Sequence, residues 1–93
     1  MNVVNPATGD VMGEVPEAGA ADVARQLERA REAQPSWAER GFIERAAAVR
    51  RFRELLVERA DSLARTLTSE VGKPITQARN EVKGTLARID FFL

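Results

Sequence analysis

With 93 residues, 44% of them hydrophobic and 30% charged, the chain is too apolar for a disordered segment and fits one small domain or part of a larger one. Its 14 basic residues offset its 14 acidic ones, which excludes the electrostatic pattern typical of proteins that bind nucleic acid or an anionic membrane. The chain has no cysteine, histidine or tyrosine, which excludes disulfides, thiolate ligands and a cysteine nucleophile, and removes the usual general base.

The first sixteen residues predict a β-hairpin. Residues 3–4 and 11–15 are rich in valine, and the segment between them contains Pro6 and Gly9. Proline presets φ for the first central position of a turn, and glycine accepts the positive φ that closes it. Alternation along residues 11–15 predicts that the three odd-numbered residues share one face. Because a lone hairpin is marginal in water, we expect it to pack against another surface.

A first helix is predicted to begin at Ala20 or Ala21 and to end or bend at Pro35, whose ring removes a helical N–H donor. Trp37 then lies in a short connection that Gly41 closes. The spacing of apolar and charged residues predicts one apolar stripe and two ion pairs along this helix. The stripe is Val23, Leu27, Ala30 and Ala33, and the pairs are Arg25–Glu28 and Arg29–Glu32.

The longest periodic signal follows. Phe42, Val49, Leu56 and Leu63 are seven residues apart, as in a coiled coil, but arginines interrupt the second seam position. We therefore favour a helix packed on a globular core. Asp61 or Ser62 is suited to cap a new helix, so one bent helix and two consecutive helices are both open.

Gly72 and Pro74 predict the end of one helix and the start of the next, since glycine suits the left-handed position after a helix and proline suits its first turn. The last helix is predicted from Pro74 to the end of the chain, with Arg79, Glu81 and Lys83 facing outward. Its final three residues, 91–93, are large and apolar, whereas domains usually end in polar residues. We expect a continuation or a partner to cover them.

Three segments together resemble the beginning of aldehyde dehydrogenases. Each motif alone is weak, but the three occur in the family's order and with its intervals, over nearly the whole chain. They are Val4-Asn5-Pro6-Ala7-Thr8-Gly9-Asp10-Val11, then Ala33-Gln34-Pro35-Ser36-Trp37 after a helix beginning Ala21-Asp22-Val23, and Glu70-Val71-Gly72-Lys73-Pro74.

The resemblance implies a much longer enzyme that oxidises an aldehyde with NAD or NADP. In that family the catalytic cysteine, the glutamate that activates water, the asparagine of the oxyanion hole and the cofactor loop all lie beyond residue 93. It also implies that this chain corresponds to the first part of the α/β cofactor-binding domain. We expect a mostly α fold with an N-terminal β-hairpin at residues 1–16 and helices over residues 20–93, forming one partial domain.

The resemblance implies one binding role. Members of the family often hold a monovalent cation through backbone carbonyls, and by position Val4 and Glu70 match two of those ligands. Their carbonyls are hard oxygen ligands, which suit such an ion. The third ligand would come from later sequence. No catalytic or cofactor-binding residue is assigned to this chain.

Other residues invite functional interpretations that a structural one outweighs. Lys73 lacks the rest of a phosphate loop, so its segment predicts a helix stop and start. Trp37 is expected to anchor packing rather than to stack a ligand. Residues 50–53 include three arginines, but an Arg50–Glu54 pair predicts a solvated helix face.

These observations favour an aldehyde dehydrogenase segment that is inactive alone, located in the cytoplasm, with neither nucleic acid nor membrane as a partner. We expect it to associate with the remainder of such an enzyme or with itself. The alternative is a stand-alone helical interaction module derived from that family. A small nucleic-acid binder is disfavoured by the zero net charge.

Overall fold

The structure, a computed structural model, describes residues 1–93 and consists of a β-hairpin followed by four helices. Its elements are β1 (Asn2–Val4), β2 (Val11–Glu14), α1 (Ala20–Glu39), α2 (Phe42–Glu58), α3 (Ala60–Val71) and α4 (Ile75–Phe92). The predicted fold class, mostly α with an N-terminal hairpin, is confirmed. None of the four helices combines the length and the apolar character that a membrane span requires.

The hairpin forms because its turn satisfies its own backbone groups. The N–H of Asn5 donates to the carbonyl of Asp10 at 2.9 Å, and the N–H of Gly9 donates to the carbonyl of Asn5 at 2.8 Å. Gly9 has φ of +80°, as its predicted role in the turn requires. The Asn5 side chain also accepts the N–H of Ala7 at 2.9 Å.

The strict alternation predicted for β2 is wrong. The strands are antiparallel, with Val3 opposite Gly13 but Val4 opposite Val11. Met12 is therefore an extra residue on β2, and such a bulge interrupts the alternation of side chains between the two faces. Short strands have few ladder bonds to oppose this irregularity.

Helix α1 continues past Pro35, so of the two predicted outcomes at this residue, an end or a bend of the helix, the end is excluded. A proline removes one intrahelical donor and crowds the preceding turn, but here the helix continues to Glu39. The connection is consequently reduced to Arg40 and Gly41, and Trp37 lies within the helix. The predicted start is confirmed, because α1 begins at Ala20.

The chain between α2 and α3 breaks at a single residue, Arg59, which has φ of −105° and ψ of 10°. This settles the open question in favour of two consecutive helices. Neither Asp61 nor Ser62 caps α3, because the cap position falls at Arg59 and Asp61 lies in the first turn. Since one backbone break reorients the following helix, no coiled-coil seam runs from Phe42 to Leu63.

The turn between α3 and α4 follows the prediction. Gly72 is left-handed, with φ of 73° and ψ of 14°, and its N–H donates to the Thr68 carbonyl at 2.9 Å. Pro74 occupies the N-cap position of α4. A Cβ atom added to Gly72 would lie 2.8 Å from Cγ of Pro6. The hairpin turn therefore rests directly on this glycine, which gives the hairpin the packing surface that it needs.

The helices bury very little. α3 packs on α4, and α2 packs on α4. The buried side chains are Ala46, Ala64 and Ala78, one on each of these helices. Small side chains allow close approach of helices but remove little apolar area from water. Helix α1 buries no residue, and Val23 and Leu27 of its apolar stripe are 59% and 52% exposed.

Ion pairs connect the packed helices. Arg53 on α2 donates to both carboxylate oxygens of Asp90 on α4, at 2.5 and 2.7 Å. Asp61 on α3 accepts from Arg79 on α4 at 2.7 Å and from Arg65 on its own helix at 2.8 Å. Arg79 was expected to face outward, and its side chain is 46% exposed. Its pairing with Asp61 on α3 was not predicted, because periodicity alone does not show which helix lies opposite.

The ion pairs predicted within helices are also wrong in their partners. Arg25 pairs with Asp22, whose carboxylate also accepts the N–H of Gly19 at 3.1 Å at the start of α1. Arg29 donates to Gln26 rather than to Glu32. Several acceptors lie three or four residues from each arginine, and small differences in rotamer decide among them. Because all these groups are exposed, each choice changes stability little.

Acid is expected to weaken the contacts between the helices. The hydrogen bond from Arg79, with that from Arg65, lowers the pKa of Asp61, and the hydrogen bond from Arg53 lowers the pKa of Asp90. A carboxyl whose pKa is lower in the folded state stabilises the fold fully above its unfolded pKa, near 4, and loses this contribution as the pH falls through the folded pKa. The urea concentration at the midpoint of unfolding should therefore stay constant from about pH 7 to about pH 5, and it should decrease once the pH is lower than about 4. Asp61→Asn should flatten that decline, and an unchanged decline would contradict the assignment.

The chain exposes more surface than a complete domain of its mass. Its accessible area is 7402 Å², whereas a folded monomer of 10.3 kDa exposes about 5,400 Å². The difference is about 2,000 Å². Its radius of gyration is 17.2 Å, compared with about 12 Å expected for a domain of this length. The fold therefore presents faces that a complete domain would cover.

Candidate functional site

The structure brings two of the three family-like segments together. The hairpin turn, through Pro6, contacts the junction of α3 and α4 at Gly72. The third segment, which contains Trp37, lies elsewhere and faces α2 and α4. The candidate site is thus the contact between the hairpin and this junction, with a separate groove at the other end of α4.

The two expected cation ligands, Val4 and Glu70, lie on the two sides of the Pro6–Gly72 contact. Val4 is the last residue of β1, and Glu70 is the next-to-last residue of α3. In a helix the carbonyl of Glu70 would accept the N–H of residue 74, but that residue is Pro74 and has no N–H. The carbonyl of Glu70 is therefore available to another partner, as a backbone ligand must be.

The acidic side chains do not build a metal centre by themselves, because no three of them cluster in a way that suits an ion. Alkali and alkaline-earth ions usually take about six or more oxygen ligands. Two backbone carbonyls from this chain are thus part of a ligand set at most, and the site needs further oxygens.

Lys73 is not positioned to bind a phosphate. Its ammonium group forms an ion pair with Glu81, and its side chain is about one-third exposed. Together with the left-handed Gly72 and the capping Pro74, this confirms that the segment serves as a helix stop and start.

Two of the three arginines of residues 50–53 form ion pairs, each with a different partner. Arg51, rather than Arg50, pairs with Glu54 at 3.0 Å, so the predicted Arg50–Glu54 pair is wrong. Arg53 reaches across to Asp90 on α4, and this hydrogen bond raises the pKa of Arg53. The cluster is consequently a solvated face with one link between helices. This link was not predicted, because 37 residues separate its partners along the chain.

A groove of about 520 Å³ lies where the end of α1 meets α2 and α4. Trp37 forms one side of it and is 40% exposed, with the guanidinium of Arg40 lying 5.8 Å from its ring centre. The tryptophan is thus only partly packed within this chain. The groove was not predicted, since its lining comes from three separated segments: Trp37, Phe42, Arg45, Ala46, Val49, Thr85, Arg88, Ile89, Phe92 and Leu93.

Comparison with known proteins identifies the family and shows which share of a relative's length the chain matches. The sequence description of the aldehyde dehydrogenase family matches residues 1–93. Glutarate-semialdehyde dehydrogenase of Pseudomonas putida is 42% identical over 92 residues, which are 99% of this chain and 19% of that enzyme. The chain therefore spans about a fifth of the length of such a relative.

Solved structures agree. Succinate-semialdehyde dehydrogenase from Burkholderia pseudomallei superposes with a TM-score of 0.87 at 42% identity, over 89% of this chain and 17% of that one. Glyceraldehyde-3-phosphate dehydrogenase GapN from Methanocaldococcus jannaschii, solved with NADP, superposes with a TM-score of 0.93 over 98% of this chain and 20% of that one. At 23% identity, this second likeness shows the fold alone.

Proposed function

Because the chain belongs to the aldehyde dehydrogenase family, we propose that it forms the N-terminal hairpin-and-helix layer of an NAD(P)-dependent aldehyde dehydrogenase and is inactive alone. The observation that carries this proposal is the roughly 2,000 Å² of excess surface, which an incomplete domain would present. Within such an enzyme these residues would pack against the remaining fold and support its shape. The oxidation itself would belong to residues that this chain does not contain.

The chemistry of the chain supports its inactivity. Oxidation through a covalent acyl intermediate needs a strong nucleophile and a general base near neutral pH. The chain has no cysteine or histidine. The pKa values that the structure shifts are those of Asp61, Asp90 and Arg53, which are exposed groups held in ion pairs. Those shifts favour the charged forms of the three groups, so neither aspartate is made a better base.

The relatives suggest a substrate class for the complete enzyme. The Pseudomonas and Burkholderia proteins are named for glutarate semialdehyde and succinate semialdehyde. We propose by analogy an aldehyde with a carboxylate at its far end, oxidised to the dicarboxylate with NAD or NADP as acceptor.

The test is an oxidation assay on the purified chain with succinate semialdehyde or glutarate semialdehyde and either NAD⁺ or NADP⁺. We expect no formation of reduced nicotinamide above the rate without protein. Full-length glutarate-semialdehyde dehydrogenase of Pseudomonas putida is the positive control. Turnover that rises in proportion to the concentration of the chain would overturn the proposed inactivity.

A hybrid enzyme tests the structural half of the proposal. In it, this chain replaces the matching residues of the Pseudomonas relative, and we expect dehydrogenase activity to persist.

The same hybrid tests the cation proposal for the carbonyls of Val4 and Glu70, which the Pro6–Gly72 contact and the missing N–H of Pro74 support. Its thermal midpoint should be higher in sodium chloride than in choline chloride at equal ionic strength, and equal midpoints would argue against the site.

The second candidate function is a helical interaction module that acts without the rest of the enzyme. The groove and the uncovered helix α1 favour it, because both present apolar side chains to a partner. Light scattering combined with thermal unfolding separates the two candidates. A defined species that unfolds cooperatively supports the module, whereas aggregation or partial folding supports the enzyme segment.

A further inference from the structure

The groove between α2 and α4 combines an apolar lining with two positive charges. Arg45 and Arg88 line it, and neither forms an ion pair with this chain's carboxylates. Nε of Arg45 is shielded from solvent and has no hydrogen-bond partner. A donor on a charged group that is buried without an acceptor is unfavourable. The groove therefore contains two positive charges without partners as well as apolar side chains that no other residue covers.

The groove has the shape that two adjacent helices offer to a third. On α2 its lining residues run from Phe42 to Val49, and on α4 from Thr85 to Phe92, at spacings of three or four residues. Each stripe is about 10 Å long, or two helical turns. Ala46, 4% exposed, lies in the lining of the α2 stripe and allows close approach. A groove bordered by one such stripe on each side suits the packing of an apolar helix.

We propose that this groove receives an apolar helix carrying an acidic side chain, which pairs with Arg45 and lies near Arg88. The inference rests on the proposed function, because the remaining part of the aldehyde dehydrogenase fold would supply the helix. To that proposal the inference adds that the segment covering the groove is apolar and carries an acidic side chain. A carboxylate gives the Arg45 guanidinium, which this chain leaves without an ion pair and only half-buried, a partner at the groove. The apolar face covers Trp37 and Phe92, which are 40% and 79% exposed.

A symmetric pairing of two copies fits the groove less well. It would bring a second Arg45 and Arg88 against the first pair, and like charges in a shielded interface oppose association. The charges therefore favour an acidic occupant, whereas the groove of a second copy would be basic.

Trp37 provides the readout, since it is the single tryptophan and lines the groove. The probes are two synthetic peptides of about 18 residues, long enough to be helical alone. Both are built from alanine, leucine and lysine, and they differ only in one glutamate or one glutamine at the border of the apolar face. We expect the glutamate peptide to shift the Trp37 emission to shorter wavelength and to bind about tenfold more tightly.

Variants assign the preference to Arg45. Arg45→Gln should reduce the preference for glutamate to less than about threefold, and Arg88→Gln should reduce it partly. Arg50→Gln is the matched control, because Arg50 lies on the same helix, is exposed and is outside the groove. Circular dichroism checks that each variant keeps its helices. If Arg45→Gln loses them, Arg88→Gln decides the question.

Four results would overturn the inference. One is equal binding of the two peptides, and another is an equal loss of preference in Arg50→Gln. The third is a dimer in sedimentation that Phe92→Glu abolishes, which would make a second copy the occupant. Decanoate added as a competitor should displace neither peptide, and displacement would indicate a small-molecule site instead. Turnover by the chain alone would defeat the proposed function and leave the peptide result unaffected, so the two failures are distinguishable.

Discussion

Replacing Gly72 with leucine is expected to detach the hairpin and to lower the free energy of unfolding by roughly 2–5 kcal/mol, the sum of a backbone cost and an overpacking cost. Gly72 has φ of +73°, a conformation that disfavours side chains. Its Cβ would lie 2.8 Å from Cγ of Pro6, a ring that cannot rotate away. Gly72→Ala should cost less, because it shares the backbone term and the first clash but adds no further atoms.

Gly84 is the control for Gly72. It lies within α4, and a Cβ added there meets nothing within 4 Å. Gly84→Ala should therefore stabilise the chain by up to about 1 kcal/mol through helix propensity alone. Urea unfolding followed by circular dichroism measures all three variants. Equal effects of Gly72→Ala and Gly84→Ala would show that the hairpin does not rest on Gly72.

The parts of the fold that the sequence predicted are those in which one residue determines a local conformation. Gly9 and Gly72 both have the positive φ that their turns require. Pro74 begins a helix as expected, and α1 begins at Ala20. Each of these predictions depends on backbone sterics within a few residues, and such effects act in the same way in any surrounding fold.

The errors arose where a local preference was weaker than its context. Pro35 disfavours a helix interior but does not prevent one, and α1 extends past it to Glu39. Arg59 is not a residue that marks a helix boundary, yet the break between α2 and α3 lies there. Such positions depend on how neighbouring helices pack. A single sequence shows which face of a helix is apolar but not which element covers it.

The candidate site follows the same division. The assignment of Val4 and Glu70 as cation ligands stays a prediction from the family-like motifs, whereas the structure does bring the two segments that contain them into contact through Pro6 and Gly72. The groove around Arg45 was not foreseen, because residues from three helices form it. An arginine on a helix usually indicates solvent exposure, and only the packed structure reveals that its Nε is shielded.

The core of three alanines explains why the chain depends on close helix packing. Ala64 and Ala78 are 0% exposed, on the pair α3 and α4 that Asp61 and Arg79 also join. Each alanine contributes little apolar area, so the contact is held by proximity rather than by large side chains. Because so few residues are buried, a change of side-chain volume at this interface should remove a large part of the free energy of unfolding.

Ala78→Leu is therefore expected to separate α3 from α4 and to cost about 1–3 kcal/mol, a large part of the stability of so small a fold. Leucine adds three carbon atoms at a position with no exposed surface, so either the helices move apart or the side chain leaves its preferred rotamer. Ala87→Leu is the matched control, since Ala87 lies on the same helix and is exposed; its effect should stay within about 0.5 kcal/mol. Urea unfolding measures the difference, and hydrogen exchange should show faster exchange in α3 for Ala78→Leu alone. Equal stability of the two variants would show that the α3–α4 contact does not hold the chain together.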